Sequence, residues 1–215
     1  VEVNKTVTLI GEDMEQTIIA GQNNRFIIDV SADNAIIENF TITINSSLNP
    51  TLNPSAGINI FGYKGIVVSH NIISKSRQGI ALTLAGNNTI SDNMITANTL
   101  NGIAVLSSSD NVVSDNNMIN NTQNGISSQG SNTNTFSGNT ISGNNGGFNM
   151  YFSSGNTFSG NTLNNTLSGD VVSFSTDNLF YDNNFYDTVL VDSNLTNHWD
   201  SIVEGNYWSN YSGHD

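Results

Sequence analysis

The chain has 215 residues, 36% of them hydrophobic and 11% charged, with 5 Lys plus Arg against 18 Asp plus Glu and a net charge of −13. A chain this poor in cations cannot neutralise a phosphate backbone, which excludes nucleic acid as a partner and weighs against anionic membranes and against polyuronates lacking a bridging cation. It has no apolar run of the ~18 residues that a membrane-crossing helix needs, and no cysteine to report on redox compartment.

Asparagine takes the place of the missing apolar and charged residues: there are 38 of them, and they are too regularly placed for a disordered tract. Val1–Ile10 already reads as a strand with no leader before it, so the expectation is a segment of a larger polypeptide. A first coil is predicted over roughly 3–22, with Val7, Leu9, Ile18 and Ile19 as core candidates. A second follows over roughly 25–45, with Phe26, Ile28, Val30, Ile36 and Ile42. Residues 46–56 hold both prolines, which cannot join a strand ladder, and read as a protruding loop.

Regular coils are predicted over 57–189. A glycine recurs at Gly57, Gly79, Gly102, Gly125, Gly147 and Gly169, with spacings of 22, 23, 23, 22 and 22. Apolar residues follow most of them at alternate positions, as in Ile58 and Ile60 or Ile103 and Val105, which is strand alternation with one face buried. A second motif, Asn-x-apolar-x-x-Asn-x-apolar, repeats five times. Its asparagines are Asn88 and Asn93, Asn111 and Asn116, Asn134 and Asn139, Asn156 and Asn161, and Asn178 and Asn183.

No single coil of this length can bury its own apolar side chains, but stacked coils bury them as continuous columns. The fold predicted is therefore all-β: a right-handed parallel β-helix, one domain over 1–215, of about 8–9 coils of 22–23 residues. Phe136, Phe158 and Phe180 should stack as one column. The two asparagine sets should form inward ladders, each amide bonding the bend and the asparagine of the next coil. Residues 190–215 leave the pattern and gain Trp199, Tyr207, Trp208 and Tyr211, as expected of a cap over the open end.

Candidate chemistry is sparse. Tyr63, Lys64, Lys75 and Arg77 place an aromatic and three of the five cations beside the 46–56 loop, and suit contact with an acidic or neutral glycan. Glu38, His70, Asp92, Asp115 and Asp182 precede the second ladder position. Stacked carboxylates at Asp92 and Asp115 could bind calcium or supply the carboxylate pair of a glycosidase, although Asp is also a routine corner residue. No catalytic residue is assigned. Asp170 falls at an inward position that other coils give to Ile or Phe, which signals either a shifted strand or a polar network in the core. His70, His198 and His214 are not at metal-ligand spacing, and the methionines do not converge with them, so a copper site is not expected. Glycosylation sequons stand at Asn4, Asn39, Asn45, Asn87, Asn120, Asn164, Asn194 and Asn210, and in so asparagine-rich a chain several arise by chance.

The Asn-x-Ile-x-x-Asn-x-Ile coils, the opening Thr8-Leu-Ile-Gly-Glu12 with Thr17-Ile-Ile-Ala-Gly21, and the closing Gly205-Asn-Tyr-Trp-Ser-Asn-Tyr-Ser-Gly213 resemble the NosD-like parallel β-helix repeat proteins, common among surface proteins of methanogenic archaea. The resemblance covers nearly the whole chain. It implies the β-helix fold and one of several roles: a carbohydrate-binding or sugar-hydrolysing module, a surface-layer component, or a periplasmic copper-handling protein. Residues and resemblance together lead to an extracellular or cell-surface module that is non-catalytic. Its expected partners are surface glycans or other surface proteins, and it needs no cofactor beyond calcium at most. The alternative is a polysaccharide lyase or glycoside hydrolase of the β-helix type.

Overall fold

Short strands, nearly all of three to six residues, wind the chain into a parallel β-solenoid of about eight turns with no helix among its described residues. The structure is a computed structural model that describes residues 1–22, 25–44, 53–164, 166, 169–193 and 196–209. Each turn contributes one strand to each of three sheets. The first sheet has nine strands, from Glu2–Val3 to Leu190–Asp192; the second has eight, from Thr8–Ile10 to Leu179–Tyr181; the third has nine, from Ile18–Gly21 to Tyr207–Trp208. All pairing is parallel and joins residues one turn apart, such as Ile80 with Ile103, Ile90 with Val113 and Ile95 with Met118.

Local sequence explains the strands. Most strands of the second and third sheets bury only their middle side chain, and several, such as Thr89–Ser91 and Thr140–Ser142, read polar-apolar-polar to match. Between them the backbone turns through the left-handed region at one residue, most often Asp, Asn or Gly, which tolerate it. The repeating glycine has a different cause. A Cβ on Gly102 would stand 2.7 Å from the Gly125 carbonyl oxygen and 3.1 Å from Met118 Cγ. The turn into the first sheet brings its first residue against the core side chain of the next turn.

The core is a set of columns. Ile58, Ile80, Ile103, Ile126 and Phe148 are continuous and buried in the first sheet. Phe136, Phe158 and Phe180 form the expected aromatic stack in the second, with ring centroids 4.5 and 5.0 Å apart. In the early turns the faces differ from those expected. Val7 and Ile18 are exposed, and Ile37 rather than Ile36 is fully buried. The pairs Ile18-Ile19 and Ile36-Ile37 offer two equivalent β-branched residues, so alternation cannot say which one turns inward.

Both asparagine ladders are present. In one, Asn88, Asn111, Asn134, Asn156, Asn178 and Asn197 are linked by amide-to-amide hydrogen bonds of 2.9–3.1 Å. The other runs Asn71, Asn93, Asn116, Asn139, Asn161, Asn183 and Asn206. Each Oδ1 also accepts the previous asparagine's backbone N–H, and each amide donates to a backbone carbonyl, so buried polar groups are satisfied turn after turn. Two further ladders went unread in the sequence. Ser76, Asn98, Asn121 and Asn144 line the third corner. Ser108, Ser131, Ser153 and Ser175 line the corner where the first sheet gives way to the second.

At the C-terminal end, Trp199 stacks on Phe180 and Trp208 on Phe185, both at 4.0 Å and 9°. Leu190–Asp192 still pairs with Asp170–Ser173, so ladder and sheet run on into the segment read as a cap.

Candidate functional site

Outward residues of the first sheet's early strands line a groove of about 720 Å³. Three successive turns build it. Phe26–Val30 supplies Asp29; Ala56–Phe61 supplies Asn59 and Phe61; Gln78–Thr83 supplies Thr83. Asn59 Nδ2 donates to Asp29 Oδ1 at 2.7 Å, holding in place the only carboxylate among the described residues that line the groove. Phe61 is 55% exposed at the rim, and half-buried Tyr63 closes one side.

The other side carries Arg25 and Arg77. The Ser55 N–H donates to the Arg25 carbonyl at 2.7 Å, and the Gln78 N–H to the Ser55 carbonyl at 3.1 Å. The Arg77 N–H donates to the Pro54 carbonyl at 2.8 Å. Arg25 and Arg77 therefore stand two turns apart, roughly 10 Å along the axis. The Arg25 guanidinium lies 5.0 Å from the Phe26 ring centre, a cation–π contact. Among the described residues neither arginine has an ion-pair partner.

The groove takes in Tyr63 and Arg77 of the four residues expected, and not Lys64 or Lys75. Lys64 is exposed, with its backbone bridged to Gly86. Lys75 is exposed at a left-handed corner, φ 62°. Arg25, Asp29, Asn59 and Phe61 were missed. They lie 16 to 52 positions from Arg77 in the chain, and only stacking brings them together. The loop read over 46–56 is described only from residue 53, where Pro54 and Ser55 already join the stack.

The proposed carboxylate column needs one correction. Glu38 pairs with Ser69, whose hydroxyl donates to it at 2.8 Å, so it sits one residue before the corner and Asn39 aligns with His70. Asp92 and Asp115 do share the corner, each exposed with φ 57°. The Asp115 carboxylate lies over Gly138, in space a Cβ there would fill. Left-handed φ is a sufficient reason for Asp at both positions. Two stacked carboxylates fall short of the six to eight oxygens calcium takes. Of the sequons, Asn4, Asn87 and Asn120 are exposed and Asn39 and Asn164 half-buried; Asn45, Asn194 and Asn210 lie outside the described residues.

Asp170 is fully buried in the first sheet's core column and forms a polar network there. It accepts from the Phe148 N–H and the Thr188 hydroxyl, both at 2.7 Å, and Thr188 is hydrogen-bonded in turn to Thr166. Burial raises its pKa from 3.8 to about 6, with these hydrogen bonds opposing the rise.

Fold and groove define a class: a parallel β-solenoid with interior amide ladders and an open groove on the outer face of its first sheet. The chain belongs to the family described as periplasmic copper-binding protein (NosD), which matches residues 13–213. A search of curated proteins by sequence finds no match. The fold is similar to that of the A-module of the mannuronan C-5 epimerase AlgE4 of Azotobacter vinelandii, at TM-score 0.65 and 16% identity, covering 86% of this chain and 63% of that one. This chain thus spans less than two thirds of that module. It is also similar to the Dettilon tailspike protein, at TM-score 0.60 and 12% identity, with 95% and 59% covered. An alginate lyase from Paenibacillus sp. FPU-7 matches at TM-score 0.60 and 11% identity, with 94% and 97% covered.

Copper does not fit the residues described. Among them no three His, Asp or Glu side chains gather in reach of one ion. Met118 and Met150 are sealed in the core, and His70 and His198 stand near opposite ends of the second sheet. Soft-metal ligation needs such donors to converge.

Proposed function

We propose that this protein is a non-catalytic, extracytoplasmic glycan-binding module whose groove holds an acidic sugar. The observation that carries the reading is the placing of Arg25 and Arg77 on one wall of the groove in a chain with 5 cations against 18 acids. Two forked donors suit a carboxylate or sulfate. Phe61 and Tyr63 add apolar faces of the kind a sugar ring packs against, and Asn59 and Thr83 add polar groups that fix orientation. The family's periplasmic description supports a location outside the cytoplasm. The names of the epimerase and lyase relatives in fold show that such solenoids can carry polysaccharide chemistry.

Hydrolysis is the less supported alternative. Glycosidases pair two carboxylates ~5–9.5 Å apart, and among the described residues Asp29 is the one carboxylate lining the groove. A lyase would draw on Tyr63 and Arg77. Titration with a hyaluronan tetrasaccharide, which carries uronate on alternate residues, tests the reading by calorimetry, while ultraviolet absorbance watches for an unsaturated product. Arg77→Ala should weaken binding by about tenfold, the loss of one charge-assisted contact, and Lys75→Ala should leave it unchanged. Product formation that stops in Tyr63→Phe would replace binding with lyase activity. Equal affinity for wild type and Arg77→Ala would remove the groove from consideration.

A further inference from the structure

The groove opens at one end onto an uncharged ridge along the same outer edge of the first sheet, on which exposed apolar side chains alternate with small and polar ones. From Phe61 the strand register passes through Thr83, Leu106 and Gln129 to Tyr151, then Ser173. The neighbouring corner column runs Gly62, Leu84, Ser107, Gly130, Phe152, Phe174. Leu84 is 58% exposed and Leu106 42%. The ridge ends in three rings: Tyr151 lies 4.3 Å from Phe152 and 5.4 Å from Phe174, and Phe152 stacks on Phe174 at 5.1 Å and 24°. Phe152 and Phe174 remain 55% and 58% exposed.

Backbone conformation marks these rings as unusual. Leu84, Phe152 and Phe174 hold φ of 53°, 50° and 49°. Bulky residues are outliers there and hold the conformation under strain. Glycine fills the same column at Gly62 and Gly130, so neither the turn nor the fold needs a phenylalanine. Nothing in the core is gained either, since both rings face water.

We propose that Tyr151, Phe152 and Phe174 form a second sugar-binding station, so that the protein takes a linear glycan lying parallel to the solenoid axis. This rests on the groove reading above and extends it. The stations are four to five turns apart, roughly 19–24 Å. A turn and a pyranose unit of an extended chain are of similar length, so one chain spans both. The ridge carries no charged residue between the groove and Phe174, and the protein as a whole is strongly acidic. A glycan acidic at every residue is therefore disfavoured. The fitting ligand is a mixed chain, with a uronate in the groove and less charged sugars laid face-on over the rings. The net charge of −13 also opposes pairing of two copies through this ridge.

The test compares a hyaluronan tetrasaccharide with a dodecasaccharide on wild type and on the double variant Phe152→Gly, Phe174→Gly. Glycine already occupies this column, so the variant should fold, with a melting temperature unchanged or raised. Wild type should bind the longer chain at least tenfold more tightly. The variant should lose that gain and keep wild-type affinity for the tetrasaccharide. A gain that survives in the variant overturns the second station. So does a fall in melting temperature, or a change in sedimentation with no change in sugar affinity, which would make the rings structural or a contact between copies. No length gain in wild type, with tetrasaccharide binding still dependent on Arg77, would leave the groove and remove the ridge. Binding of neither oligosaccharide would remove both.

Discussion

Asp170 shows how much one residue changes inside a repeat. Its column holds isoleucine or phenylalanine in the five turns before it, yet here a carboxyl group is fully buried and hydrogen-bonded only to uncharged partners. The protonated acid is the cheaper guest, so its pKa rises to about 6. The stability linked to that proton is fully present below the unfolded value of 3.8 and is lost as pH rises through about 6. Asparagine at 170 keeps an oxygen for the Phe148 N–H and an amide for the Thr188 hydroxyl without the charge. Asp170→Asn should match wild type near pH 4 and exceed it at pH 7 by up to roughly 3 kcal/mol. Urea unfolding of both proteins across that range reads this directly, and coincident profiles would show that the site is not titrating.

At the scale of the element, the corner ladders make three-residue strands viable. Asn116 and Asn117 are chain neighbours with opposite roles. Asn116 is buried and fully bonded, accepting from Asn93 and donating to Asn139, to the Ile90 carbonyl and to the Ser114 carbonyl. Asn117 lies on the outer side of the third sheet, half-buried, and its covered Oδ1 has no hydrogen-bond partner among the described residues, so removing it forfeits no bond. Asn116→Ala strands several buried groups at once and should cost roughly 3 kcal/mol or more. Asn117→Ala should fall within about 0.5 kcal/mol of wild type. Thermal unfolding of the pair checks this, and a similar loss at both positions would mean that composition rather than position carries the stability.

Across the whole molecule, contacts reach only from one turn to the next, so stability propagates along the stack. The C-terminal end is held by Trp199 and Trp208, which extend the core columns of Phe180 and Phe185. Trp208→Ala should cost roughly 2–3 kcal/mol. Its effect should be local: amide exchange should speed in the last two turns and stay slow around Ile80 and Ile103. Uniform acceleration along the chain would show that the solenoid unfolds as one unit. The same one-dimensional architecture turns the outer face into a ruler, on which groove and aromatic ridge sit at whole numbers of turns.

The sequence by itself determined the solenoid, because a period of 22–23 residues repeats both the inward apolar residue and the corner asparagine, and a stacked ladder needs the same residue type at the same offset in every turn. Asn88, Asn93 and their repeats, the phenylalanine column and the oddity of Asp170 were legible for that reason. The serine ladder was not, since Ser108, Ser131, Ser153 and Ser175 stand among many other serines and their spacing gains meaning only once the corner is known. Nor was the choice between Ile36 and Ile37, where neighbouring residues are chemically equal and the pleat alone decides. The groove was half legible: Tyr63 and Arg77 drew notice as rare residue types near one another in sequence. Arg25, Asp29 and Phe61 join them only because Ser55 pairs with Arg25 on one side and leads into the turn after on the other, and that adjacency is a property of stacking, which no single turn encodes.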